Sequence, residues 1–556
     1  MKTKLLFIIM LAFAGLSSFA QVQKIKLDES KKIGSATKSE MFTVQCKGAV
    51  NPPSADLKWR PILTKKIIET DKEEAPDQIL IEKIKSDKLK LQQLQDKNNT
   101  DTSAEISTKS VTPVVGTNWW GNANNGCTPM DNQIAISNGG IVVSVANTTL
   151  EIDDISGNSL YYDDLMTFIN DNTVNAICDP AVIYDPGADR FIFFCQDYIH
   201  PLNSSNTHLL IFFSQTNNPA TGGWWYYQLS GNPLNDNSAF DYPKLAVSNN
   251  ELYITGNLYY DSGGNNQSVL WQINKWDGYS GANLNAQTWS GIQGSPFTLL
   301  PVSYGQGNTY GPGCYLVSTT SGGASTINLY DLTDDMTGTP SLNYYSVSTT
   351  TYSPAADAQQ SGTTVLLDNG ACRALSGFYM NGIIHFVFHS DQGNTYNGIN
   401  YNRLNVSTLS NTSSIFGISG LAYSYPSVVS YATTSTDKSV MIGFGRSGAS
   451  IYPEVRVINC DNNMNWSTST LVKSSSSYVN QLQSSGISRW GDYTGTARKH
   501  NSSTPSIWMN GMYGTSSNSW DSWIAEIHDN TITGINNSEN KNEFKVFPNP
   551  IIETFN

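Results

Sequence analysis

From about Val111 onward, short β-prone apolar runs alternate with clusters of Gly, Asn, Asp and Pro, and the clearest unit is Cys178 to Cys195, CDPAVIYDPGADRFIFFC. Val182 to Tyr184 and Phe191 to Phe194 are two such runs. Between them, Asp185 to Arg190 supplies a proline with preset φ, a glycine free to take positive φ, and carboxylates that bond nearby backbone N–H groups. This pattern predicts a β-hairpin.

The unit recurs. It begins with MDNQIAISNGGIVVSV around Asp131, returns at Asp179, and returns again as DYPKLAVSNNELYITGN at Asp241. Looser copies start at Gly311, Ala371, Tyr425 and Gly491. A small antiparallel sheet cannot bury both its faces alone, so repeated sheets stack around an axis and leave only short edges exposed. The expectation is an all-β chain, a β-propeller over residues 111–529 of seven blades, with six or eight also compatible. Trp120, Trp271, Trp276, Tyr184, Tyr253 and Tyr379 are expected to pack between blades.

Residues 21–110 have a different texture: Lys-rich, poor in aromatics, with 17 Lys/Arg against 14 Asp/Glu, whereas residues 111–556 hold 14 against 32. Asp77 to Lys97 predicts an amphipathic helix whose stripe is Leu80, Ile84, Leu91 and Leu94, interrupted by Asp87. It reads as a propeptide-like, lid or partner helix, or as a helix packed on the main domain. The acidic body argues against nucleic-acid binding, which needs basic surface to displace counterions.

Met1 to Ala20 has a basic end at Lys2 and Lys4, an apolar run from Leu5 to Leu16, and a small-x-small site ending at Ala20, the pattern of a secretory signal. No later stretch is apolar for long enough to predict a membrane-spanning helix. Export places the seven cysteines in a compartment where disulfides form, and Cys178 with Cys195 could bridge one hairpin.

After a linker, residues 530–542, the chain ends in FKVFPNPIIETFN, of which residues 543–556 include Val546-Phe547-Pro548-Asn549-Pro550. This resembles the start of the type A C-terminal sorting domain of type IX secretion. The resemblance implies recognition by that machinery and a secreted or cell-surface destination. A second resemblance, over most of residues 112–528, is to uncharacterised exported bacterial propellers. It rests on DPxVxYDxxxxRF from Asp179, DYPKLxV from Asp241, LDNGACR from Leu367 and RWGDYxG from Arg489. It implies the fold and no activity.

The repeat openings are also where charged residues recur. If Asp131, Asp179, Asp241 and Asp492 each open the innermost strand of a blade, four carboxylates meet at one mouth of the axial channel, where they repel unless a cation such as Ca²⁺ neutralises them. The alternative is that each bonds its own turn. Arg373 and Arg489 sit in two of the opening segments, placed to bind an anion or to pair with those aspartates. His385 and His389 in HFVFH read as structural strand residues. No G-x-S-x-G or H-E-x-x-H is present in the mature chain.

Aromatic platforms beside amides, at Trp119-Trp120, Trp224-Trp225-Tyr226-Tyr227 and Tyr259-Tyr260, would suit a glycan or protein ligand, although alternation on a strand buries about half of such rings. The leading expectation is therefore an exported binding or adhesion module with structural calcium. The alternative is a secreted glycosidase-like hydrolase using two of the mouth carboxylates.

Overall fold

The computed structural model describes residues 22–52, 68–69, 75–96 and 110–529, except 125, 148, 198–206, 261–265, 435, 482–485, 503 and 516–518. The stretches expected to be a signal segment, a linker and a sorting-domain start lie outside the described residues.

Seven antiparallel sheets follow one another in sequence. Their innermost strands are Gln133–Ile136, Ile177–Asp185, Ser238–Val247, Leu300–Pro301, Ser376–Met380, Ala422–Ser430 and Gly495–Arg498. Each sheet then runs outward strand by strand. The seventh is completed from the other end of the domain, because Pro113–Ala123 pairs with Trp520–Asp529 as its outermost strand. The chain is a seven-bladed β-propeller.

The core is divided among the gaps between blades. Val143 and Leu150 of blade 1 meet Phe191 and Phe212 of blade 2 in one cluster. Ile134 and Val142 on the opposite side of blade 1 meet Trp508 and Ile524 of blade 7, sealing the ring. Both faces of each sheet are thus apolar, which is why the strands read as continuous apolar runs.

Six of the seven sequence repeats mark a blade start. The copy at Gly311 does not: Cys314–Ser318 is the second strand of blade 4, whose innermost strand is the two residues Leu300–Pro301. Trp271 and Tyr253 are buried as expected, but Trp120 and Trp276 are 39% and 46% exposed. All seven cysteines are free. The register sets Gln196 opposite Cys178 and leaves Cys195 on the neighbouring step, so the proposed bridge has no cross-strand pair to form in.

Residues 22–50 do more than carry a helix onto the domain. Gly34–Ser35 extends blade 4, Thr37–Lys38 and Phe42–Val44 extend blade 3, and Cys46–Val50 extends blade 2. This belt covers three sheet edges that would otherwise present unpaired N–H and C=O groups. The predicted helix, α1 (Gln78–Asp96), is present.

Candidate functional site

Five of the seven blade starts share one backbone feature. Asp179, Tyr242 and Tyr425 have φ of 50°, 61° and 49°, and each precedes a proline; Asp131 and Thr298 have φ of 51° and 69°. Positive φ in non-glycine residues is costly, and its recurrence at the same step in blades 1, 2, 3, 4 and 6 marks a bulge at the turn into the innermost strand, which blades 5 and 7 make without it. In blades 2, 3 and 6 the register shifts across that bulge, between Cys178 and Ala181, Asp241 and Lys244, and Ser424 and Ser427.

This register refines the expected carboxylate ring. Two residues before the inner pairing resumes stand Asp131, Asp179, Tyr242, Thr298, Ala374, Tyr425 and Tyr493. Asp241 and Asp492 fall one step earlier. The four aspartates do gather at one mouth of the axial channel, but in two tiers interleaved with tyrosines.

All four are engaged. Asp131 Oδ1 accepts from Asp492 N at 3.0 Å, and its other oxygen accepts from Asn147. Asn147 Oδ1 in turn accepts from Asp179 N at 2.9 Å, and Tyr493 donates to Asp179 Oδ2 at 3.2 Å. Asp241 Oδ1 accepts from Gln196 and, at 2.8 Å, from Tyr242 N. Asp492 pairs with Arg489. Asp131, Asp179 and Asp241 each accept a bond from a neighbouring or next blade, so three of the four carboxylates latch blades together as well as bonding within their own, while Asp492 pairs within blade 7.

Tyr242 and Tyr493 stack at 5.0 Å, with Lys244 Nζ 4.8 and 4.2 Å from their ring centres. Arg373 lies 4.7 Å over Tyr242 and 5.3 Å over Phe297. Below this layer, the channel is a cavity of about 210 Å³ whose lining includes Ser303, Ser376, Ser427, Thr494 and Thr496.

Burial, followed by the charges of Asp492 and Asp241, pushes the Asp131 carboxyl up to about 7, against the pull of Arg489. Burial also raises Asp241. Burial alone would weaken the Arg489 cation, but Asp492, Asp131 and Asp368 outweigh it and hold the guanidinium charged. Arg489 therefore supplies positive charge among the carboxylates, as the pairing alternative expected. Among the described residues no group of three or more His, Cys, Asp and Glu side chains is arranged to hold a metal ion.

Both strand histidines are buried and neutral. His389 accepts from Tyr425 N and is driven down to about 3 by burial and by Lys85; His385 contacts Tyr401 and stacks on Phe378.

The aromatic candidates divide by face. Trp224 is fully buried between blades 1 and 2, with Phe193 6.2 Å away, so it is a core residue and not a platform. Trp225 is half-buried on the blade 3 side, where a Cβ on Gly281 would come within 2.8 Å of its ring. Trp119 packs 5.4 Å from Trp508. Trp120 alternates to the other face and stands opposite Trp523 in the two outermost strands of blade 7. Trp120 Nε1 donates to Asp521 at 3.1 Å and Trp523 Nε1 to Asn118 at 3.2 Å, while Lys473 sits 3.7 Å over the Trp523 ring. The partner of Trp120 was missed in sequence because the two lie some 400 positions apart.

The fold and these two surfaces define the class: a closed propeller with a latched channel mouth and, at the edge of blade 7, an exposed Trp120 beside a half-buried Trp523. No family model and no curated protein matches the chain. Among solved structures, an α-L-arabinanase from Penicillium chrysogenum complexed with arabinobiose is 9% identical, covering 75% of this chain and 98% of that one, with TM-score 0.36. A protein of unknown function from Dyadobacter fermentans is 8% identical, covering 75% and 99%, with TM-score 0.34. Likeness at this level carries no residue roles across.

Proposed function

We propose that the chain is an exported or cell-surface propeller that binds a ligand without transforming it, and that Trp120 and Trp523 with Asn118 and Asp521 form the contact surface for a glycan. The observation that carries this reading is the contrast between the two surfaces. The mouth carboxylates are buried or ion-paired, while at the edge of blade 7 the Trp120 ring stays exposed, oriented by the hydrogen bond from its indole N–H to Asp521 and flanked by exposed Asn118. Indole faces stack on the C–H face of a sugar ring, and adjacent polar groups take its hydroxyls. Export rests on the N-terminal apolar run and the Pro548-Asn549-Pro550 tail, through which type IX machinery would act.

The test is a glycan array probed with the full chain, followed by W120A. Loss of about tenfold or more in affinity is expected, of the size measured for aromatic anchors. Binding unaffected by W120A would move the site elsewhere, and no binding at all would remove the glycan.

Calcium is not required by this reading, since Arg489 already provides the positive charge. The melting temperature is expected to be the same with and without chelator; a fall on chelation would reinstate a cation at the mouth. The hydrolase alternative has one feature on its side: Asp131, held protonated near neutrality beside the ion-paired Asp492, is an acid next to a base. Against it, Asp131 is fully buried. Turnover of any member of a glycoside panel by the full chain would favour it.

A further inference from the structure

Helix α1 meets the propeller with its polar side. Asp77, Ile81, Lys85, Lys88 and Gln92 recur every three or four residues and so form one stripe. Asp77 accepts from Gly322 N at 2.7 Å. Lys85 Nζ donates to Asp357 Oδ1 at 2.6 Å and to Asp368 Oδ1 at 2.8 Å. Lys88 Nζ reaches Asp391 Oδ2 at 2.7 Å and also bonds Ser353 and Pro354. Ile81 is the one fully buried apolar residue of the stripe.

The apolar stripe read from the sequence lies about a quarter turn round the helix from this side: Leu80, Leu91 and Leu94 are 52%, 51% and 59% exposed, and Ile84, at its border, is half-buried. A helix built permanently into a fold turns its apolar stripe inward. Contacts that form and break are more polar. α1 has the second character.

The acceptors are held by their own loops. Asp357 Oδ1 accepts from Asn369 N at 3.1 Å, and Asp368 Oδ1 from Gly370 N at 2.9 Å. Asp391 Oδ1 accepts from the backbone N–H groups of Gly393, Asn394 and Thr395. The carboxylates are thus positioned by the propeller itself, and positioning done in advance is what lets a site recover affinity on rebinding. Burial opposes the charge on Lys85, but the two aspartates outweigh it and keep the ammonium ionised.

We infer that Asp357, Asp368 and Asp391 form a receptor for a helix presenting two lysines one turn apart, that α1 fills it in this chain, and that the receptor takes the same lysine-bearing helix in trans when α1 is undocked. This stands apart from glycan binding at blade 7.

The test uses the full chain carrying K85A and K88A, which undocks its own helix, and a fluorescent synthetic peptide of residues 75–96. Saturable binding is expected, weaker by about tenfold or more for the unsubstituted chain, whose receptor is filled, and for a K85A/K88A peptide. No binding, or equal binding by both peptides, overturns the inference. If the double variant fails to fold, hydrogen exchange on the unsubstituted chain decides. Residues 79–92 are expected to exchange about a hundredfold or more faster than the blade strand Glu251–Tyr260, as separate opening requires. Exchange of both at one common rate overturns it.

Discussion

Asp131 combines two burdens in one side chain, a left-handed backbone and a carboxyl pushed up to about 7. Between about pH 4 and pH 7 the folded chain keeps a proton there that the unfolded chain has released. Stability present at low pH is therefore lost as pH rises through the folded value, by about 1.4 kcal/mol for each unit crossed. Glu251, also pushed to about 7 by burial, acts in the same direction, whereas buried neutral His389 acts in the opposite one. The difference between parent and D131N isolates Asp131. The parent should lose more of its melting temperature than D131N between about pH 5 and about pH 8; parallel curves would remove the buried proton. Sequence alone showed that these aspartates open repeats, yet it aligned Asp179 with Asp241. Register aligns Asp179 with Tyr242, because backbone conformation, and not side-chain type, is what repeats.

At the scale of elements, hairpins with their own turn chemistry were legible, as at Asp185 to Arg190. Leu300–Pro301 was not, because two paired residues leave no periodicity. The belt strands were hidden for a related reason: short edge strands take their conformation from the sheet they join, not from propensity. For α1, periodicity located the helix and its leucine stripe but carries no sign, so it could not show that the lysines face inward. The belt offers a direct test at Ala49, an exposed residue opposite Trp225. A49P removes an N–H and restricts φ without disturbing a packed side chain. A loss of about 1–3 kcal/mol is expected, with faster hydrogen exchange in Trp224–Ser230. Unchanged exchange there would mean that blade 2 does not depend on its fifth strand.

For the whole molecule, closure rests on blade 7, where strands from opposite ends of the domain share a sheet. Trp508 fills the gap between blades 7 and 1, fully buried against Trp119, Ile134 and Ile136. W508A should cost about 3–5 kcal/mol. Because the gap is the seam of the ring, thermal unfolding should also broaden as opening there separates from the rest. A small loss with a sharp transition would place the weak point elsewhere. Repeats and blade number were readable because each blade solves the same burial problem. The site was only half readable: residues near one another in sequence showed the mouth, whereas the Trp120–Trp523 pair exists only once the ring has closed.

The belt carries a consequence for how the chain is made. Moving along residues 34–50, it visits blade 4, then blade 3, then blade 2, against the order in which the blades themselves are synthesised. Pro113–Ala123 likewise has no partner until Trp520–Asp529 exists. The first strand of the propeller to leave the ribosome must wait for the last, so the ring cannot close until blade 7 has been made. A holding factor that kept Pro113–Ala123 unpaired would meet no competition from its native partner until the last blade is made.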